Sequence, residues 1–358
     1  MDSLLETLLD ELRPQLPVWY PYVAPDAELV VANDDARAIA RVVRITVPGA
    51  SGAPVELIAK IDAPREPTPA PDDRPRLVPM TDPELRRGLE FEALKLVEAR
   101  LREVGDDRLE AVRALGVLPK SNALVMEVFE SEPFHRVLAR KALGGNDPGR
   151  STTVAALAGR WLRILHESPT TTTLTRQRDR AEIVGAFEAY LEYLAAETGR
   201  DLSAVVRAGV DAAGRLPDPL PTVLSHGDFA PRNILVGRSG RVAVVDLLAR
   251  WKSPPYEDLA TFLVALQTNR ANAATRGLLF GRAAKRLEPA FLKGYFGAEP
   301  VPRDAIRIYE LLLVLDKWAA RSHRSRTHGL LARVRDRLID GHFEAHSRRL
   351  ARRLGGRV

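Results

Sequence analysis

The apolar residues of this 358-residue sequence change period near residue 130, and that change limits the fold more than any other feature. Before it, three strand-like runs, Glu28–Ala32, Ala38–Val47 and Pro54–Ile61, are separated by short turn candidates, AsnAspAsp at 33–35 and GlyAlaSerGly at 49–52. Short polar connections between such runs predict an antiparallel meander. Two more strands are expected at Ala111–Leu118 and Ala123–Phe129. Helical spacing marks 3–16, where Leu4, Leu8 and Leu12 share a face, and Pro83–Val104, where Leu85, Leu89, Ala93, Leu96, Val97 and Leu101 do so. Beyond 130 the period is mostly helical, over Thr153–Glu167, Arg180–Thr198, Leu202–Leu216, Arg303–Arg321 and His328–Arg353. One strand-rich island, Thr222–Leu248, interrupts it. The expected class is α+β, with a small antiparallel β-rich N-terminal lobe (1–129) and a larger α-helical C-terminal lobe (130–358).

Between the third strand and the helix after it, Asp62–Pro83 holds prolines at 64, 67, 69, 71, 75, 79 and 83. Proline has no amide hydrogen and fixes φ, so an extended mobile loop outside the core is expected here. With 45% hydrophobic and 28% charged residues the chain is an ordinary globular one. The absence of cysteine excludes disulfides, thiolate metal sites and cysteine nucleophiles, and suits a reducing cytoplasm. The start, MDSLLETLLDELRP, lacks the basic region and apolar run of a signal peptide, and no apolar run of 18 residues predicts a membrane span. Residues 301–358 carry 14 Arg and Lys against 6 Asp and Glu, so the C-terminus holds the excess behind the net charge of +6. A basic end of this kind reads either as a solvated helix surface or as a face for anions.

The chemistry concentrates in SHGDFAPRNILV (Ser225–Val236) and in VAVVDLLAR (Val242–Arg250), whose Asp246 comes ten residues after Val236. Asp228 and Asn233 fall in a turn-rich stretch between two short strands, and Asp246 ends an apolar run. A hairpin there would bring Asn233 beside Asp246 and leave Asp228 just outside. Oxygen donors of this kind suit a hard cation such as Mg²⁺ that keeps several waters. Single Asp and Asn residues in turns are ordinarily capping residues, but the joint pattern is far more specific than any one of them.

This constellation resembles the catalytic and metal-binding loops of the aminoglycoside phosphotransferase/choline kinase-like superfamily, small-molecule relatives of the protein kinases. The resemblance covers about 28–265, with specific motifs only at 225–246. It implies a bilobal protein-kinase-like fold and transfer of the γ-phosphoryl of ATP, with GTP as a possible donor, to a hydroxyl of a small molecule. Asp228 would take the catalytic position, with Asn233 and Asp246 on Mg²⁺ and His226 bracing the loop. Lys60, in PVELIAKI, matches the strand lysine that binds the α/β-phosphates, and Glu90 the helix glutamate that pairs it, with Glu92 as fallback. Adenine would be read by the backbone of Glu127 and Phe129 with Met126 behind the ring. LRILH (Leu162–His166) reads as core, and Asp258 in YEDLATFL as an anchor of the fold.

Three departures bear on this reading. The stretch Ala32–Arg37, placed between the first two strands, has no glycine; the third position of the metal motif is Leu248; and the C-terminal helices are basic, which disfavours a polycationic aminoglycoside as acceptor. A sugar, aminosugar, cyclitol or glycan intermediate is expected instead. Arg232 and Arg250 could hold phosphate or substrate, or be surface charges. Two rival readings remain, a nucleotide-binding pseudokinase and a binder of nucleic acid or an anionic surface. Against nucleic acid, the C-terminal aromatics Tyr309, Trp318 and Phe343 are too widely spaced to stack bases.

Overall fold

A computed structural model describes residues 3–36, 40–48, 54–62, 73–77, 83–142, 148–170, 172, 174–177, 179–248, 251–268, 281–324 and 330–355. Five antiparallel strands build the N-terminal sheet: β1 (Val30–Ala36), β2 (Ala40–Val47), β3 (Val55–Asp62), β4 (Ala114–Leu118) and β5 (Ala123–Glu127). Their order is β1-β2-β3-β5-β4, so the meander is extended by insertion of β5 next to β3. The stretch expected as a loop at Ala32–Arg37 is mostly strand: Asp34 lies opposite Val43 and Ala36 opposite Arg41. The polar side chains there belong to an edge strand, where one face meets water. The turn expected at 49–52 lies outside the described residues.

Alternation along β3 sorts its side chains onto two faces. Leu57, Ala59 and Ile61 pack with Val43, Ile45, Val47 and Val125 against Leu5, Leu8 and Leu12 of helix α1 (Ser3–Leu12). Full burial of each such leucine stabilises by about 1.5–3 kcal/mol. The helix expected over 3–16 stops at Leu12, and Pro14 lies in a 3-10 turn, Arg13–Gln15, before the short α2 (Leu16–Trp19). The other face of β3 carries Ile58 and Lys60 towards α3 (Pro83–Val104).

A hinge follows β5 into β6 (Ser131–Pro133), which pairs with the β8–β9 hairpin, Ile234–Gly237 and Val242–Val244. Helices make up the rest: α4 (Phe134–Ala142), α5 (Pro148–His166), α6 (Arg180–Thr198), α7 (Ser203–Ala213), α8 (Tyr256–Thr268), α9 (Gly281–Phe296), α10 (Arg303–Arg324) and α11 (Leu330–Arg353). Strand β7 (Val223–Leu224) pairs with β10 (Lys252–Ser253), which closes the segment carrying both polar loops. Helices α5 and α9 approach so closely that a Cβ on Gly294 would lie 1.9 Å from the carbonyl of Ala156. Only glycine fits there. Among the described residues no helix is long and apolar enough to cross a membrane.

The proline-rich stretch departs from expectation over its described part, 73–77. Leu77 is buried among the side chains of α6, α7 and α10, its amide donates to Asp316 Oδ1 at 3.2 Å, and its carbonyl accepts from Arg176. One apolar side chain and two satisfied backbone groups dock this piece of chain on the C-terminal lobe.

Candidate active site

The two polar loops are brought together by a four-residue strand and a three-residue one. In the β8–β9 hairpin Ile234 lies opposite Val244, and the amide of Val245 donates to the carbonyl of Asn233 at 3.0 Å. Asp246 therefore stands one residue beyond the partner of Asn233, as the spacing predicts. Its φ of 63° lies in the left-handed region. A non-glycine residue there costs on the order of 1–3 kcal/mol, and aspartate tolerates it better than most.

Asp258, in the first turn of α8, holds the 225–228 segment. One carboxylate accepts from the amides of His226 at 2.7 Å and Gly227 at 2.9 Å, from Ser225 Oγ at 3.1 Å and from His166 Nε2 at 3.1 Å. Burial works to raise its pKa, and the hydrogen bond from His166, with those from the amides, brings it below its ordinary value. His166, expected as plain core, is instead a polar link, its Nδ1 lying 2.7 Å from the Tyr295 hydroxyl. His226 braces the loop through its backbone and through Nδ1, which accepts from the amide of Asp228 at 3.3 Å. Complete burial depresses its pKa and keeps the imidazole neutral. Phe229 pins the same loop, stacked on Trp161 at 6.3 Å and on Phe291 at 6.0 Å.

Gly227 adopts φ 80°, and a Cβ added there would lie 3.1 Å from Leu248 Cδ1. Leu248 in turn donates its amide to the carbonyl of His226 at 3.0 Å. The unusual third residue of the metal motif is thus seated on the loop glycine.

Across the lobe junction, Lys60 Nζ donates to Glu90 at 2.7 and 3.0 Å and also to Asp246 Oδ1. Glu90 is 2% exposed, whereas the fallback Glu92 faces solvent. Arg87, fully buried, donates to Glu90 at 2.7 Å and to Asp62, which makes the pair part of a network. Sequence reasoning did not single out Arg87, although its place three residues before Glu90 on one helix face was the available signal. Desolvation works to raise the pKa of Asp246 and the ammonium of Lys60 overcomes it, so the carboxyl lies below its ordinary value.

Asp228 accepts from Arg232 Nη2 at 2.6 and 2.5 Å and from Asn233 Nδ2 at 3.0 Å. Arg232 is therefore tied to the loop carboxylate, while Arg250 lies outside the described residues. Asn233 spends its amino group on Asp228 and leaves Oδ1 without a hydrogen bond among the described residues; Asp246 likewise leaves Oδ2. Adjacent amide and carboxylate oxygens fit a hard cation sharing its shell with phosphate and water. Among the described residues no group of three or more His, Cys, Asp or Glu could hold an ion unaided.

At the hinge, the amide of Val128 donates to the carbonyl of Glu56 at 3.0 Å and that of Glu127 to the carbonyl of Arg113. The Glu127 carboxylate is drawn to Tyr20 at 2.6 Å and Arg113 at 2.5 Å, and the carbonyl of Phe129 accepts from Ser131 Oγ. The Phe129 ring lies against Gly237.

The arrangement matches known proteins at two levels. The model of the phosphotransferase enzyme family matches residues 90–295, from Glu90 to Tyr295 and through both polar loops. Among solved structures, a putative aminoglycoside phosphotransferase from Ralstonia eutropha JMP134 superposes with a TM-score of 0.59 at 13% identity, covering 98% of this chain and 99% of its own. A choline/ethanolamine kinase family protein from Mesorhizobium loti gives 0.53 at 15% identity, covering 97% and 98%. A spectinomycin phosphotransferase in complex with ADP and spectinomycin gives 0.51 at 12%, covering 97% and 98%. These likenesses carry the bilobal protein-kinase-like fold. No curated protein matches the sequence. With the family model spanning more than half of the chain, the protein belongs to the phosphotransferase enzyme family.

Proposed function

We propose that the protein is a small-molecule kinase that transfers the γ-phosphoryl group of ATP to an alcohol group, in a reducing cytoplasm. The observation that carries this reading is the meeting of Lys60, Glu90 and Asp246 at the lobe junction, beside the Asp228–Asn233 pair. In it, residues 1–129 form the nucleotide lobe and 130–358 the lobe that binds the acceptor. Lys60, oriented by Glu90, contacts the α/β-phosphates, and the backbone of Glu127 and Phe129 holds the base. Asn233 and Asp246 hold Mg²⁺, which when bound neutralises phosphate charge. Asp228 orients the acceptor hydroxyl and takes its proton late, because a largely dissociative transition state asks the protein for positioning more than for chemistry. The acceptor is a sugar, aminosugar, cyclitol or glycan intermediate.

ADP release from ATP with Mg²⁺, measured across aminoglycosides, amino alcohols, sugars and cyclitols with Asp228→Ala as control, tests this. Acceptor-stimulated release that vanishes in the variant is the expected result. Tight ATP binding without turnover on any acceptor would favour the pseudokinase reading. Absence of both would overturn the kinase.

A further inference from the structure

The turn that carries Asp228 also carries a cation that the reading above does not use. Between Asp228 and Asn233 the backbone is fixed by hydrogen bonds. The amide of Ala230 donates to the carbonyl of Asp228 at 2.8 Å, that of Asn233 to the carbonyl of Ala230 at 2.9 Å, and that of His135, at the start of α4, to the carbonyl of Pro231 at 3.1 Å. Pro231 fixes its own φ as well. The Cα of Arg232 is therefore held at a set place relative to Asp228, and only its side chain is left to order. Its Nη2 lies 2.6 Å from Asp228 Oδ1 and 2.5 Å from Oδ2, so one nitrogen bridges both oxygens. The side chain of Arg232 is 53% exposed and that of Asp228 33%. An ion pair as open as this adds little to stability, so its consequence lies in what it does to the carboxylate.

The remaining bonds to that carboxylate divide its two oxygens. Oδ2 also accepts from Asn233 Nδ2 at 3.0 Å, and the same amino group donates to the Asp228 carbonyl at 2.9 Å. Among the described residues Oδ1 accepts from Arg232 alone. An ionised carboxylate oxygen has two lone pairs, so Oδ2 is filled and Oδ1 keeps one for a further donor. Arg232 also sets the charge at this point. A carboxylate beside a polyphosphate is repelled by it, and a guanidinium in contact with that carboxylate offsets the repulsion.

We propose that Arg232 is a positioning residue for phosphoryl transfer. It fixes Asp228 with Oδ1 left to the acceptor hydroxyl, and it balances the carboxylate's charge when the triphosphate is bound. In the transfer, the hydroxyl oxygen forms a bond to the γ-phosphorus, and the hydroxyl proton passes to Oδ1. The bond from that phosphorus to the β,γ-bridging oxygen breaks, its electron pair leaving on ADP. Arg232 keeps its own protons throughout. This rests on the reading of Asp228 as the acceptor-side base, and variants of the two residues separate its failure from the failure of that reading.

The test is ADP release from ATP and Mg²⁺ by the full chain, with water or the best acceptor of the panel above. It compares the parent with Arg232→Gln, Arg232→Lys, Asp228→Ala and the double variant of Asp228→Ala with Arg232→Gln. Arg232→Gln should lower kcat by about tenfold to a hundredfold, the scale of a misplaced reacting group, with KM for ATP within about twofold of the parent. Because one nitrogen makes both bonds, Arg232→Lys should restore much of the rate. The double variant should be no slower than Asp228→Ala, since Arg232 then has no carboxylate to position. Melting curves should coincide, and Arg232→Ala takes the place of Arg232→Gln if that variant does not fold. Unchanged kcat in Arg232→Gln, a change confined to KM, a lysine variant as slow as the glutamine one, or a further loss in the double variant would each overturn the inference. A rate that Asp228→Ala leaves unchanged would instead overturn the reading of Asp228 as base, and no ADP release by the parent would overturn both.

Discussion

Lys60 and Asp246 lie 186 residues apart in sequence, yet the ammonium of the one donates to the carboxylate of the other across the lobe junction. The same ammonium also binds Glu90 of α3, so one cation joins the third strand, the first long helix and the end of the β8–β9 hairpin. In the proposed kinase this cation must shift part of its attention to phosphate, which makes the ion pair with Asp246 a resting arrangement and the pair with Glu90 the orienting one.

Asp246→Asn separates folding from metal binding at this point. Asparagine adopts the left-handed backbone as readily as aspartate, so the melting temperature should stay within a few degrees of the parent, while Mg²⁺-dependent nucleotide affinity falls at least about tenfold. Nucleotide titration with and without Mg²⁺ checks this, and unchanged Mg²⁺ dependence would remove Asp246 from the metal site.

Asp228→Ala should lower turnover by about 10²–10⁴, the range for losing a positioned proton acceptor, and leave ATP affinity within about twofold. Steady-state rates and nucleotide binding on one preparation give both quantities. A variant that loses ATP binding would assign Asp228 to the nucleotide instead.

Asp258→Ala should be a folding variant. It removes the buried acceptor of bonds from His226, Gly227, Ser225 and His166, and leaves two amides and a hydroxyl without a partner. A loss of about 3–5 kcal/mol, read by urea unfolding, is expected for breaking a buried charged network. A loss below about 1 kcal/mol would mean that water replaces the carboxylate.

Glu310 sets a pH dependence. Burial, helped by Glu288, raises its pKa from 4.5 to about 7 against the pull of Arg353 and Arg307, and among the described residues its carboxyl accepts a hydrogen bond from Gln267 Nε2 at 3.4 Å. A carboxyl raised in the folded state is protonated there while the unfolded chain has already ionised. Its contribution is therefore present in full below pH 4.5 and lost as pH rises towards 7. Glu310→Gln should flatten the pH profile of unfolding free energy over that window, gaining up to about 3 kcal/mol over the parent at pH 7.5. Identical profiles for parent and variant would contradict it.

Much of the site was legible because its chemistry is local. Asp228, Asn233 and Asp246 fall within one short stretch, and a two-strand hairpin with a known side-chain period needs no distant partner to set Asn233 beside Asp246. The sheet's first strand runs on to Ala36, beyond its expected end, because a run of Asn and Asp reads as a turn although at a sheet edge the same side chains can face water while the backbone pairs with β2. Lys60 stands out by its rarity in an apolar strand, but the sequence alone separates Glu90 from Glu92 only by resemblance; burial of one and exposure of the other follow from how α3 is rolled against β3.

What local pattern could not carry was every pairing between elements far apart in the chain. Leu77 sits in a proline-rich stretch whose composition argues against burial, and it is ordered by Asp316, 239 residues on. Arg232 reads as a surface charge until the loop turns it onto Asp228. The sequence by itself determined which elements form and which residue types stand on them, because propensity and period act over a few residues. The tertiary structure alone decided which charges meet, because that depends on the register and roll of packed elements, where a rotation of a quarter turn exchanges a buried side chain for an exposed one.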